Sequence, residues 1–184
     1  VNYSLQQEPK VSIIIPTKNN KFLLKRCIDS LENNTNYKNF EIILIDNNSN
    51  DRVTLEYYNS LSYQIISYPH PFNFSKMNNL GVANAQGEYI LCLNDDTKAL
   101  DPNWLTEMVS ICQQKDVGIV GAKLLHSNGT IQHAGAVFLK SGSGFHIFEN
   151  ISENSVGFFN LHNVIRNFSA VTGACLLIKN SIFD

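Results

Sequence analysis

Three polar residues, Asn94-Asp95-Asp96, end the apolar run from Tyr89 to Leu93. Adjacent carboxylates are hard oxygen ligands, suited to Mg2+ or Mn2+ held against phosphate oxygens. The same residues also suit a plain polar turn that leads into a helix, because Asp101-Pro102-Asn103-Trp104 reads as a helix start. A buried strand that delivers acids at its C-terminal end is where open α/β sheets bind ligands. The surrounding chain decides between these two readings.

Two further strand ends share that character. Val11 to Ile15 is a β-branched run, ended by Pro16 and the polar Thr17-Lys18-Asn19-Asn20. Glu41 to Ile45 is a second apolar run and delivers Asp46-Asn47-Asn48-Ser49. Unbroken apolar runs of this length fit strands buried on both faces of a parallel sheet. Between them, Phe22, Leu24, Cys27, Ile28 and Leu31 recur at helical spacing. A short helix over 53–60, a third strand over 63–67, and a helix over 75–85 capped by Ser75 and ended by Gly87 continue the alternation. Asp101 is the expected N-cap of the next helix, with an apolar stripe of Trp104, Leu105, Met108, Val109 and Cys112.

The second half departs from this rhythm. Val117 to Val120 reads as a strand, and Ser127-Asn128-Gly129 carries the Asn-Gly hairpin signal. Ser141 to Gly144 reads as a flexible loop, 145–166 shows no firm period, and 174–178 is a last buried strand. The expected fold is α/β, with a mostly parallel central sheet flanked by helices and a mixed, hairpin-bearing second half.

Composition narrows the function. The chain has 184 residues, 43% hydrophobic content and a formal charge of −2, enough for one domain and without an electrostatic case for nucleic acid. Cys27, Cys92, Cys112 and Cys175 form no CxxC pair and sit in apolar surroundings, as reduced core thiols do. His70, His126, His133, His146 and His162 lack metal-ligand spacing and read as structural or exposed. Nucleophile-elbow, His-Glu-x-x-His, P-loop and GxGxxG patterns are absent. No run approaches a transmembrane span, so a cytoplasmic location is expected, peripheral to the inner membrane where parts outside this sequence supply the attachment. Residues 1–10 read as a polar lead-in and 11–184 as one domain that stops short of a closing helix.

Several stretches, in order, carry a family resemblance. They are Val11-Ser-Ile-Ile-Ile-Pro-Thr-Lys-Asn19, Glu41-Ile-Ile-Leu-Ile-Asp-Asn-Asn-Ser49, and the segment from Phe72 through Asn94-Asp-Asp-Thr97. Asp101-Pro-Asn-Trp-Leu105, Val117 to Leu125, Gly129-Thr-Ile-Gln-His-Ala-Gly135 and Val171 to Ile178 continue the series. The chain resembles the nucleotide-sugar-binding part of a family 2 glycosyltransferase with the Rossmann-like GT-A fold. The later motifs are similar to those of bacterial surface-polysaccharide enzymes called rhamnosyltransferase-like.

That resemblance implies roles. Pro16, Thr17 and Asn19 would line the base pocket of a UDP- or dTDP-sugar donor, and Asp46 would bind the base. Lys76 and Asn79 would flank the nucleotide. Asp95 would approach the ribose or sugar, and Asp96 would hold Mg2+ or Mn2+ at the diphosphate. Asn94 stands where the family's Asp-x-Asp motif has its first Asp, which leaves one charge fewer at the metal. Thr172, Gly173 and Ala174 would lie beside the saccharide acceptor. No catalytic base is identified within the chain. An inverting transfer needs one, and it is expected beyond Asp184; Glu149, Glu153 and Asp184 read as surface carboxylates. A sugar-1-phosphate nucleotidyltransferase and a non-catalytic nucleotide-sugar-binding domain stand as alternatives, although the loop after the first strand lacks the glycines of the former.

Overall fold

The computed structural model describes residues 3–156 and 159–183. Its centre is a six-stranded sheet in the order β3-β2-β1-β4-β10-β5. β1 (Val11–Thr17), β2 (Phe40–Asp46), β3 (Gln64–Ser67) and β4 (Tyr89–Leu93) run parallel, as their apolar runs predict. β10 (Cys175–Lys179) is antiparallel to both β4 and β5 (Ile119–Gly121). Its direction is what brings residues 172–174 to the C-terminal end of β4.

Alternate strand residues feed two buried layers. Ile13, Ile15, Leu91 and Leu93 face α1 (Lys21–Asn33) and α4 (Trp104–Cys112). Ile14, Ile43, Ile45, Ile90 and Cys92 face α3 (Phe74–Val82), which contributes Met77. Complete burial of such side chains stabilises by about 1.5–3 kcal/mol each. α3 packs close: a Cβ on Gly81 would come 2.4 Å from Ile14 Cγ2. All four cysteines are buried and unpaired.

Helix starts differ from the expected ones. Asn73, not Ser75, caps α3 by accepting the Lys76 N–H at 3.0 Å. α2 (Arg52–Tyr58) is capped by Asp51, which accepts the Thr54 N–H at 2.9 Å. Asp101 does not cap α4 directly; it accepts the Asn103 N–H at 2.7 Å in a turn just ahead of the helix. The described part of the lead-in is pinned rather than loose. Pro9 O accepts the Tyr37 hydroxyl, and Gln6 N donates to Gln113 Oε1 at 2.9 Å.

The second half forms two small hairpins beside the sheet. β6 (Leu124–Leu125) pairs with β7 (Ile131–His133) around the predicted Asn128-Gly129 turn, where Gly129 has φ +80°. β8 (Ala136–Phe138) pairs with β9 (Gly144–His146), so the expected loop over Ser141–Gly144 is a hairpin turn closed by Leu139 and Ser143, with Gly144 already in the strand. Mutual hydrogen bonds between Ala136 and Ala170, at 2.9 and 3.2 Å, tie β8 to the approach to β10. Among the described residues, no helix is long and apolar enough to cross a membrane.

Candidate functional site

The polar ends of β1, β2 and β4 converge. β1 and β2 pair so that Thr17 lies opposite Asp46. β1 and β4 pair over Val11–Ile14 and Tyr89–Cys92, which carries Pro16 to the level of Asn94. Thr17, 4% exposed, donates its hydroxyl to Asp95 Oδ2 at 2.8 Å. Asn20 Nδ2 reaches the same oxygen at 3.5 Å. Burial pushes the Asp95 carboxyl above its ordinary range and Asp96 adds to this, while the Thr17 and Asn20 hydrogen bonds oppose it.

The turn bearing the acids is fixed from below. Thr97 donates both its hydroxyl, at 2.8 Å, and its N–H, at 3.4 Å, to Asn94 O. The Cys27 thiol lies 3.8 Å from that carbonyl, and burial lifts its pKa to about 11, so it stays protonated. Arg26 Nη2 donates to Asp96 O at 3.1 Å, a cation beside the acids that spacing alone does not reveal. Asp96 itself is exposed, and its carboxylate takes no hydrogen bond among the described residues.

Across the cleft stands the start of β10. Asn94 N–H donates to Ala174 O at 3.0 Å. Pro16, Phe72, Phe74, Asn94, Asp95 and Thr172–Ala174 together enclose a cleft of about 430 Å3. One wall is apolar, with Phe72 69% and Phe74 37% exposed. A larger groove of about 700 Å3 runs along the outer face of α1, but it gathers none of the strand-end acids.

Not every expected residue reaches this cleft. Asp46 accepts the Ser49 N–H on both oxygens, at 3.2 Å each, and the Tyr58 hydroxyl at 3.0 Å. It is therefore a turn former that keeps acceptor capacity on Oδ2. Asn19, in a left-handed conformation at φ +49°, spends its side chain on Asn50 and Asp51 and staples two loops together. Lys76 and Asn79 are exposed on α3 and do not line the cleft. Glu149 is exposed and Glu153 pairs with Lys123 at 3.5 Å; Asp184 lies outside the described residues.

No group of three or more His, Cys, Asp or Glu side chains that could hold a metal occurs among the described residues. Asp95 and Asp96 nonetheless fit a hard divalent ion of the kind held by one or two carboxylates, with substrate phosphates and waters completing the shell. They do not form a preformed cage.

The model of glycosyl transferase family 2 matches residues 12–183. The chain belongs to this family. An O-antigen biosynthesis protein, RfbC, of Myxococcus xanthus is 39% identical over 188 residues, spanning all of this chain and 15% of that protein. The chain covers only 15–21% of the length of the curated relatives that match it from end to end. Among solved structures, the mannosyltransferase PcManGT of Pyrobaculum calidifontis, in complex with GDP-Man and Mn2+, superposes with a TM-score of 0.58. It is 21% identical, and the match covers 67% of this chain and 38% of that one. S. aureus TarS in complex with UDP-GlcNAc gives a TM-score of 0.54 at 20% identity, over 65% and 36% of the two chains. At these identities the likeness speaks to fold, and it is the GT-A glycosyltransferase fold that the sequence motifs imply.

Three features of the site have no role assigned by those motifs. Phe72 precedes α3 and Phe74 opens it, where the aromatic residues carry no periodic signal. Arg26 sits on the exposed side of a helix. His133 lies under Thr172, as described below. In β7, Ile131-Gln132-His133 alternates buried, exposed, buried, so the histidine points inward with Ile131.

Proposed function

We propose that this domain binds a nucleotide-diphosphate sugar and passes its sugar, with inversion, to a saccharide acceptor in bacterial polysaccharide assembly. The observation that carries this reading is the Thr17–Asp95 hydrogen bond. It joins the polar ends of β1 and β4 and fixes one carboxylate while leaving Asp96 free and exposed. The relative named for O-antigen biosynthesis supports the pathway class, and the solved relatives with GDP-Man and UDP-GlcNAc support the donor class.

Within this reading, Asp46 Oδ2 accepts a base N–H, and Pro16 and Thr17 form the floor beside it. Lys76, Asn79 and Asn19 become peripheral to the donor. Asp95, held by Thr17, orients toward ribose or sugar hydroxyls, and Asp96 is the ligand for Mg2+ or Mn2+. Such an ion, when bound, neutralises charge on the departing nucleoside diphosphate. Arg26 sets the Asp96 backbone in place for that task. Phe72 and Phe74 offer an apolar wall for the face of a sugar ring, opposite Asp95, with Thr172–Ala174 forming the acceptor side. Among the described carboxylates only Asp95 borders the cleft, and in this reading it serves the donor, so no general base is assigned among the described residues.

Thermal melting with UDP, dTDP, GDP and CTP, each with and without Mn2+, tests the reading. A diphosphate at about 100 times its Kd adds about 2.7 kcal/mol. Metal-dependent stabilisation by one of the diphosphates is expected. Preference for the triphosphate would favour a nucleotidyltransferase, and no response to any nucleotide would overturn the donor assignment.

A further inference from the structure

The Thr130–Gly135 motif has no task in the account above, yet it buries a histidine against the cleft. His133 is 1% exposed. Its Nε2 lies 3.3 Å from the backbone N of Thr172. On the far side of the ring, Nδ1 lies 3.4 Å from His146 Nδ1, with the two rings edge to face at 4.6 Å between centroids. Segment 171–174 is anchored at one end by the Ala136–Ala170 hydrogen bonds and at the other by Ala174 O with Asn94 N. His133 supplies the anchor between them.

We propose that His133 is a positioning residue: as a neutral ring protonated on Nδ1, it accepts the Thr172 amide proton and holds Thr172–Ala174 against the Asn94–Asp96 turn. The inference rests on the reading of Thr172–Ala174 as the acceptor side. The tautomer follows from the donors. A backbone amide only donates, so Nε2 must keep its lone pair, and the neutral ring must then carry its proton on Nδ1. That proton points to His146 Nδ1, 3.4 Å away, which accepts it only when it carries no proton itself. His146 Nδ1 also lies 2.9 Å from Gln132 O, a contact that needs a proton on His146 Nδ1 instead. The two arrangements exclude each other, so the Thr172 anchor competes with the Gln132 contact through the ring pair. Burial, with His146 beside it, lowers the His133 pKa to about 4, which keeps the ring uncharged at neutral pH.

The test uses the whole 184-residue chain in solution. Long-range 15N–1H imidazole spectra at neutral pH should show His133 neutral and protonated on Nδ1; a proton on Nε2, or a charged ring, would overturn the proposal. Amide exchange at Thr172 should quicken about tenfold in His133→Leu, which fills the space without accepting a hydrogen bond. It should return to within about twofold of the parent in His133→Gln, whose Oε1 can accept. Exchange at Ile13 and Leu91 should not change. Equal protection of Thr172 in parent and His133→Leu would show a packing role only and overturn the proposal. Should His133→Leu fail to fold, the tautomer of the parent decides. A parent chain that UDP and GDP leave unstabilised in Mn2+ would count against the donor reading, whereas the His133 anchor is judged on exchange and tautomer alone.

Discussion

In residues 11–112, strands of four to seven residues alternate with helices, and their side chains enter one of two buried layers. From residue 119 onward, strands other than β10 shrink to two or three residues. There the chain is held by individual contacts. A Cβ on Gly135, at φ +106°, would come 2.5 Å from the Phe168 ring. The Arg166 guanidinium lies 4.6 Å from the Phe168 ring centre and 5.2 Å from that of Phe148. His133 carries Thr172. The first region spreads its stability over many buried apolar contacts, and the second concentrates it in a few specific ones. That contrast parallels the proposed division of labour: a donor floor built on the sheet, and an acceptor side held by a few local contacts.

The contrast is breakable. Leu91→Ala, in a fully buried position of β4, should cost about 3–5 kcal/mol by denaturant melting, and amides of both regions should lose protection together. A loss confined to β4 would contradict a continuous core. Gly135→Ala should cost about 1–3 kcal/mol, because the added methyl meets Phe168. Hydrogen exchange should rise over 131–138 and 168–174 and stay unchanged in β1. Gly129→Ala has the same kind of backbone, φ +80°, but open space around it, so it should cost only about 1 kcal/mol. Equal costs for the two glycines would mean that packing against Phe168 does not hold the second region.

Acid gives the smallest effect. His133 stays neutral down to about pH 4 in the folded chain, whereas an ordinary histidine takes up its proton at 6.5. The unfolded chain therefore binds the proton first. This contribution to stability is intact above pH 6.5 and is lost as pH falls toward 4, by under about 1 kcal/mol between pH 7 and 6. Melting across that interval should show the slope in the parent and a shallower one in His133→Gln. Identical slopes would remove His133 from the linkage.

The same division governs what the sequence makes legible. β1, β2 and β4 are readable because burial on both faces leaves an unbroken apolar run, and the acids at their ends stand out against it. The Asn128-Gly129 hairpin is readable because its turn demands particular residues. The second hairpin is not, since Ser141–Gly144 reads as a loop when its flanking strands are three residues each. The antiparallel direction of β10 has no signature in Cys175–Lys179, yet it decides that Thr172–Ala174 face Asp95. Asn19 shows a role that residue type does not reveal: its left-handed backbone and three side-chain hydrogen bonds make it a loop staple beside the strand end. Phe72 and Phe74 are a second case, since aromatic residues around a helix start look incidental until the fold sets them in one cleft with Asp95.

The claim that matters most is that Asp96, at the end of β4, binds a divalent ion together with a nucleoside diphosphate. Mn2+ can be titrated into the chain with UDP or GDP present and absent, following free Mn2+ by electron paramagnetic resonance. The account predicts retention of Mn2+ that depends on the diphosphate and is lost in Asp96→Asn, with the fold unchanged by circular dichroism. Retention in Asp96→Asn equal to that of the parent, or no retention by the parent with either diphosphate, would contradict it.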